Sequence, residues 1–303
     1  MLTDKILDPV LAGRLEQYRL VRLQPVTGGY AGSRRSPRKG GAVEFADYRE
    51  YAAGDEPRRV DWKAYARLGR LYVKEYLDEK QDAVLFIVDT SASMNWGAGD
   101  EHKGRFALGL SAGLGACVLV GNDRLAVTAG PGLTAGPGSV TYFAPVQGRR
   151  SLPRLWHWLA DRVFAGGTDL AGGLRDGLRL QPGTTGLYVF SDLLDPNGVE
   201  DMLRMAAGRG IAVTLLHILA PGELEPPGEG EWTMIDSETG EPVEVSLTPS
   251  ALRDYSARLK QHIAALEQSC RRWKAGRVQI NTGRSLADAL LLDLPRAGVL
   301  KHY

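Results

Sequence analysis

Residues 83–93 read Ala-Val-Leu-Phe-Ile-Val-Asp-Thr-Ser-Ala-Ser, an unbroken apolar run followed by a carboxylate at Asp89 and hydroxyls at Ser91 and Ser93. The run is too short for a helix and does not alternate, so it predicts a strand buried on both faces of a parallel sheet. Ligands of such sheets gather at the carboxyl ends of the strands, which is where Asp89 falls. Aspartate and serine oxygens are hard donors, suited to magnesium, manganese or calcium rather than zinc. The stretch therefore predicts a cation site on top of an α/β sheet.

Outward from this strand, apolar runs and helical periods alternate. Helices are expected over Phe106–Val120, Leu152–Asp161, Leu170–Leu180 and Val199–Arg209, and strands over Arg124–Thr128, Val140–Phe143, Leu187–Phe190 and Ile211–Leu219. That order predicts a mostly parallel sheet with helices on both faces. Trp232–Ile235 and Pro242–Ser246, separated by Ser237–Gly240, read as a hairpin within an acidic insertion at about 221–247. Thr248 as N-cap and Pro249 open a helix with Leu252, Tyr255, Leu259, Ile263, Leu266, Cys270 and Trp273 on one face. A strand Arg277–Asn281 and a helix Ser285–Leu292 close the chain. The first 79 residues differ in texture: a short amphipathic helix with Ile6, Val10, Leu11 and Leu15, a basic turn-rich piece at Gly28–Gly41, and an aromatic, charged segment in which Leu71–Leu77 has strand character. Two domains are expected, 1–79 and 80–303.

Composition sets outer limits. The 303 residues allow a core of ordinary size. With 37 Lys and Arg against 36 Asp and Glu, the net charge of +1 gives no overall field toward nucleic acid or membrane. The charge is uneven, acidic over Ala220–Val245 and basic over Arg253–Arg277, which reads as a solvated loop and helix face. Cys117 and Cys270 lie far apart in apolar-periodic stretches, outside any metal-ligand spacing, and read as buried reduced thiols of a cytoplasmic protein. The N-terminus does not have the pattern of a signal peptide. Phe106–Asn122 carries no charged residue but is short for a membrane span and holds glycines, so it is expected to be a core helix rather than a span.

Two later segments complement the first. Gly166-Gly167-Thr168-Asp169-Leu170 is a glycine-rich loop that presents a hydroxyl, and Phe190-Ser191-Asp192 ends a strand with a carboxylate. The simpler reading is that Ser91, Ser93 and Asp192 cap helices; Asp169 and Asp195 need no other role than caps or turns. The set Asp89, Ser91, Ser93, Thr168 and Asp192 resembles the metal-ion-dependent adhesion site of von Willebrand factor A domains, and the element order resembles that Rossmann-like fold. The resemblance implies that the two serines and the threonine bind a divalent ion, Mg2+ first and Mn2+ or Ca2+ next, with the aspartates acting mainly through water. Such an ion keeps an open position that an Asp or Glu of a partner protein can fill.

Upstream, Glu44–Tyr51, Gly54–Lys63, Ala66-Arg67 and Val73–Glu75 resemble the signature of the bacterial family called domain of unknown function 58. That resemblance implies partnership with a MoxR-type AAA+ ATPase, as adaptor or co-chaperone. Read without it, Asp47, Arg49, Asp55, Arg58, Arg59, Asp61 and Arg67 are salt-bridged structural residues, and Trp62, Tyr65, Tyr72 and Tyr76 are packing core. The basic run Arg34–Lys39 keeps nucleic-acid binding as an alternative function.

A metal-dependent hydrolase or phosphotransferase is the other alternative. Haloacid-dehalogenase-like enzymes need a second aspartate two residues after the first; Ser91 stands there instead. No phosphate-binding Gly-Lys-Ser/Thr loop or dinucleotide fingerprint is present. His102, His157, His217, His262 and His302 show no metal or triad spacing and read as surface or satisfied core residues. The expectation is a non-enzymatic, metal-dependent interaction module.

Overall fold

The computed structural model describes residues 6–23, 43–52, 60–78, 81–130, 141–226, 228–235 and 242–303. They form two bodies, one of residues 1–27 and 82–303 and one of residues 28–81. The larger body opens with helix α1 (Pro9–Leu15), capped by the Asp8 carboxylate on the Val10 amide, and strand β1 (Tyr18–Leu20). The smaller body holds β2 (Val43–Glu50), α2 (Trp62–Leu68) and β3 (Tyr72–Asp78), with β2 and β3 antiparallel and a bulge between Phe45 and Asp47. Asp61 caps α2 through the Lys63 and Ala64 amides, and Gly69 ends it with φ of 65°. Trp62 and Tyr65 stand edge to face at 6.2 Å and are 61% and 45% exposed. They are surface residues, against the expected packing core, because both lie on a two-turn helix with no buried residue. Asp55, Arg58, Arg59 and the run Arg34–Lys39 lie outside the described residues.

The larger body resumes with β4 (Ala83–Val88), α3 (Lys103–Val120), β5 (Arg124–Ala129), β6 (Thr141–Gln147), α4 (Leu152–Ala160), α5 (Leu170–Leu180), β7 (Gly186–Ser191), α6 (Pro196–Gly208) and β8 (Ala212–Leu219). There follow α7 (Pro221–Leu224), β9 (Gly230–Ile235), β10 (Pro242–Leu247), α8 (Pro249–Trp273) and β11 (Gly276–Asn281). Last come a helical turn Leu286–Asp288, a π-helical stretch Ala289–Asp293, a turn Leu294–Arg296 and β12 (Leu300–His302). The central sheet runs β11-β8-β7-β4-β5-β6, all parallel except β6, which is antiparallel to β5. The strand expected at Val140–Phe143 is this edge strand, extended to Gln147.

Strand period 2 explains the unbroken apolar run of β4. Val84, Phe86 and Val88 face α1, α3 and α4 in one core, while Leu85 and Ile87 face α5, α6 and α8 in the other. Phe86 meets Tyr188 and Phe190 of β7 edge to face, with centroids 5.7 and 5.2 Å apart, each contact worth about 0.5–1.5 kcal/mol beyond its buried area. β4 lies where the strand order reverses, with β5 on one side and β7 on the other. In sheets of this kind the carboxyl end of such a strand is where ligands bind.

Helix α3 is long and apolar enough, by length and composition, to be a span, but 89% of it is buried against protein. It is buried nearly all round because the sheet, α1, α4 and the C-terminal turns surround it. Cys117 and Cys270 are buried free thiols.

Two expectations are corrected. Residues 6–23 belong to the larger body, not to an N-terminal domain of 1–79: α1 packs on α3, and β1 pairs antiparallel with β12. That pairing joins the two ends of the chain, which no local pattern reports. The apolar face of the 25-residue α8 is fully buried at Leu266 and Cys270 and partly buried at its other apolar positions, while Tyr255 is exposed. The closing helix is broken by the π-helical stretch.

Candidate metal centre

Asp89 follows the last residue of β4, and its amide donates to the Phe190 carbonyl of β7 at 2.9 Å. The sheet's own pairing thus carries Asp89 to the carboxyl edge of the sheet, where it is buried. Its Oδ1 accepts the Ser91 amide at 2.9 Å, a tight turn that brings Ser91 back over the carboxylate. Ser91 Oγ lies 3.1 Å from Ser93 Oγ. A 3-10 turn Ala92–Met94 follows, and Ser91 makes no side-chain cap to it.

The loop before α5 is laced to the same strand end. The Ala165 amide donates to the Thr90 carbonyl and the Ala92 amide to the Gly166 carbonyl, at 2.9 and 2.8 Å. Gly166 has φ of 76°, which an L side chain adopts only at a cost, so glycine is required at this contact. The loop sets Thr168 Oγ1 3.4 Å from Asp89 Oδ2. Asp169 then caps α5 on the Gly172 amide at 2.7 Å, and Asp195 caps α6 on the Asn197 and Gly198 amides at 3.1 Å. Caps explain Asp169 and Asp195, as expected. They do not explain Ser91, and α6 is capped by Asp195 and not by Asp192.

Four of the expected residues, Asp89, Ser91, Ser93 and Thr168, are joined through these hydrogen bonds. Asp192, 1% exposed at the carboxyl end of β7, reaches Asp89 through its charge. Burial first, and then Asp192, push the Asp89 carboxyl above its ordinary range, while the Ser191 and Ser91 donors pull it back.

Three neighbours of the candidate site were not foreseen. Ser191 Oγ donates to Asp89 Oδ2 at 2.5 Å and accepts the Leu193 amide at 2.9 Å. Lys103 Nζ donates to Asp192 Oδ2 at 2.9 Å and to Glu223 Oε1 at 2.7 Å. Ser191 had a signal, its place immediately before Asp192 at a strand end. Lys103 and Glu223 had none: a lysine opening a helix and a glutamate in an acidic run both read as solvated. His217 and His262 also depart from expectation, since Nε2 of each is buried without a hydrogen-bond partner among the described residues.

Among the described residues no three His, Cys, Asp or Glu side chains converge as metal ligands. A cation here would be held by hydroxyl oxygens and water around one carboxylate, with a second nearby. The donors fit a hard divalent ion. So does the raised Asp89 value, since a buried carboxylate beside a second negative charge gains most from an adjacent cation.

Over 293 residues the chain is 28% identical to the uncharacterized protein Rv1480 of Mycobacterium tuberculosis, covering 95% of this chain and 90% of that protein. The uncharacterized protein Mb1516 of Mycobacterium bovis matches to the same extent. Among solved structures, the conserved hypothetical protein BatB from Bacteroides thetaiotaomicron is similar at 15% identity and a TM-score of 0.42, over 72% of this chain and 98% of that one. An aerotolerance-related membrane protein from Bacteroides fragilis is similar at 15% identity and a TM-score of 0.41, over 71% and 99%. Residues 47–265 match the family described as protein of unknown function DUF58, and the chain belongs to that family.

Proposed function

We propose that this protein is a non-enzymatic, metal-dependent interaction module: a von Willebrand factor A-like domain whose adhesion-type site binds a partner's Asp or Glu through a divalent ion, Mg2+ first. It acts in the bacterial cytoplasm as an adaptor or co-chaperone of a MoxR-type AAA+ ATPase. The observation that carries the binding chemistry is the convergence of Asp89, Ser91, Ser93 and Thr168 at the strand-order reversal, with Asp192 beside them.

The ion would supply residual positive charge and an exchangeable position for a carboxylate. The chain's own residues do the rest. The Asp89 turn and the Gly166 loop fix the hydroxyls on rigid elements, which keeps the ordering cost of binding low. Neutral hydroxyls leave part of the ion's charge uncompensated, which favours an acidic partner over a neutral one. The Ser91 and Ser93 hydroxyls pair with each other and Thr168 Oγ1 donates to Asp89; Asp89, the one carboxylate in those bonds, is the one a divalent ion would engage, which would make it a ligand rather than a general base.

The test is capture of native partners by the full chain, with and without chelator, beside Asp89→Ala and Thr168→Ala variants that keep the wild-type circular dichroism. Capture should fall at least tenfold in chelator and in both variants. Retained capture in all three would overturn the proposal.

A further inference from the structure

Among the described residues the ammonium of Lys103 is the most unusual charge. Its side chain is 1% exposed and pairs with Asp192, also 1% exposed, and Glu223, 18% exposed. It is the first residue of α3, where the helix dipole disfavours a positive charge, so the carboxylates and not the helix hold it there. A buried ammonium persists only with anionic partners. Glu223 is in turn fixed: Oε2 accepts the Ala220 amide at 2.8 Å and its carbonyl accepts Tyr255 Oη at 2.8 Å. One cation thus sits between two anchored anions, and one of those anions is the second carboxylate of the candidate metal centre.

We propose that Lys103 is a tethered counter-cation that competes with the divalent ion for Asp192 and thereby sets the affinity of the centre. The inference rests on the metal reading of that centre. With Lys103 in place, the ammonium takes up part of the Asp192 charge, and the incoming ion meets less negative charge than two carboxylates without a counter-cation would present. Removing the ammonium restores a second free carboxylate. Removing the charge of Glu223 has the opposite effect: the ammonium loses one partner and is held wholly by Asp192. Lys103 is therefore a positioning residue acting through Asp192, and Glu223 is its counterweight.

The two variants must shift ion affinity in opposite directions, which a merely structural role would not produce. The experiment is a calorimetric titration of the full chain with Mn2+, for wild type, Lys103→Met and Glu223→Gln, with Asp89→Ala as the control. Lys103→Met should bind Mn2+ on the order of tenfold more tightly, and Glu223→Gln several-fold more weakly, as expected for one unit charge added or removed at a partly buried site. Should Lys103→Met fail to fold without metal, Glu223→Gln decides alone. Unchanged or weaker binding by Lys103→Met, or unchanged or tighter binding by Glu223→Gln, overturns this inference and leaves the metal centre standing. A wild type that binds no Mn2+ beyond the Asp89→Ala control overturns both.

Discussion

Replacing Asp89 by asparagine keeps the shape of the side chain and removes its charge, and the structure predicts opposite consequences with and without a divalent ion. The amide oxygen of the variant side chain would still accept the Ser91 amide, now seen at 2.9 Å from Asp89 Oδ1. At the other terminus an amide nitrogen would replace the oxygen that accepts from Ser191 at 2.5 Å and Thr168 at 3.4 Å. Both hydroxyls can rotate to accept instead, and the loss of two charge-assisted bonds costs about 1 kcal/mol each beyond neutral ones. Against this, burial and the Asp192 charge already work against the ionised Asp89, and the neutral amide removes that penalty. In chelator the variant should therefore lie within about 1 kcal/mol of wild type. The sign of the pH trend follows. The folded state favours protonated Asp89, so its stabilisation is full below the ordinary value of 3.8 and is lost as pH rises through the raised one. That rise-dependent loss should disappear in Asp89→Asn. With magnesium at about a hundredfold excess over its dissociation constant, wild type should gain about 2.7 kcal/mol, on the order of 5–10 °C in Tm for a body of this size. The variant should gain nothing. Differential scanning calorimetry in chelator and across a magnesium series measures both halves. An equal magnesium shift in the variant, or a variant several kcal/mol less stable in chelator, would rule out Asp89 as the charged ligand of the centre.

Two further outcomes are expected. Burial, with Arg277 and His262 nearby and against the opposing charge of Asp192, lowers the His217 pKa to about 3. Its neutral form is the folded one, so the stability it carries is full above the unfolded value of 6.5 and is lost as pH falls toward about 3, at up to about 1.4 kcal/mol per pH unit; His217→Gln should flatten the Tm–pH curve in that window, and an unchanged slope would count against it. Asp169→Ala removes the cap of α5 at Gly172 and should lower stability by about 0.5–2 kcal/mol in urea unfolding, while weakening Mn2+ binding through Thr168; a stability loss with unaltered Mn2+ affinity would separate the loop from the centre.

The sheet and its flanking helices were legible in the sequence because each rests on a local rule, and the five candidate ligands because their order resembles an adhesion-type site. An unbroken apolar run marks a doubly covered strand such as β4, a cap and a 3.6-residue period mark a helix such as α8, and strand ends in this architecture face the crevice. Residue order placed Asp89 and Asp192 each at the carboxyl end of a strand, and the pairing of β4 with β7 is what makes those ends adjacent. What needed the tertiary structure is whatever depends on a meeting of distant segments with no periodic signal. β1 pairs with β12 across nearly the whole chain, so the N-terminal helix joins the larger body. The stripe of α8 could be read as apolar, yet its partner covers only part of it. Lys103, Asp192 and Glu223 come from three separate elements, and a charge written in a sequence looks solvated until the fold buries it. Local chemistry therefore determined which oxygens stand at the candidate centre, while packing alone decided that an ammonium stands beside them, because burial converts a distant charge into a neighbour.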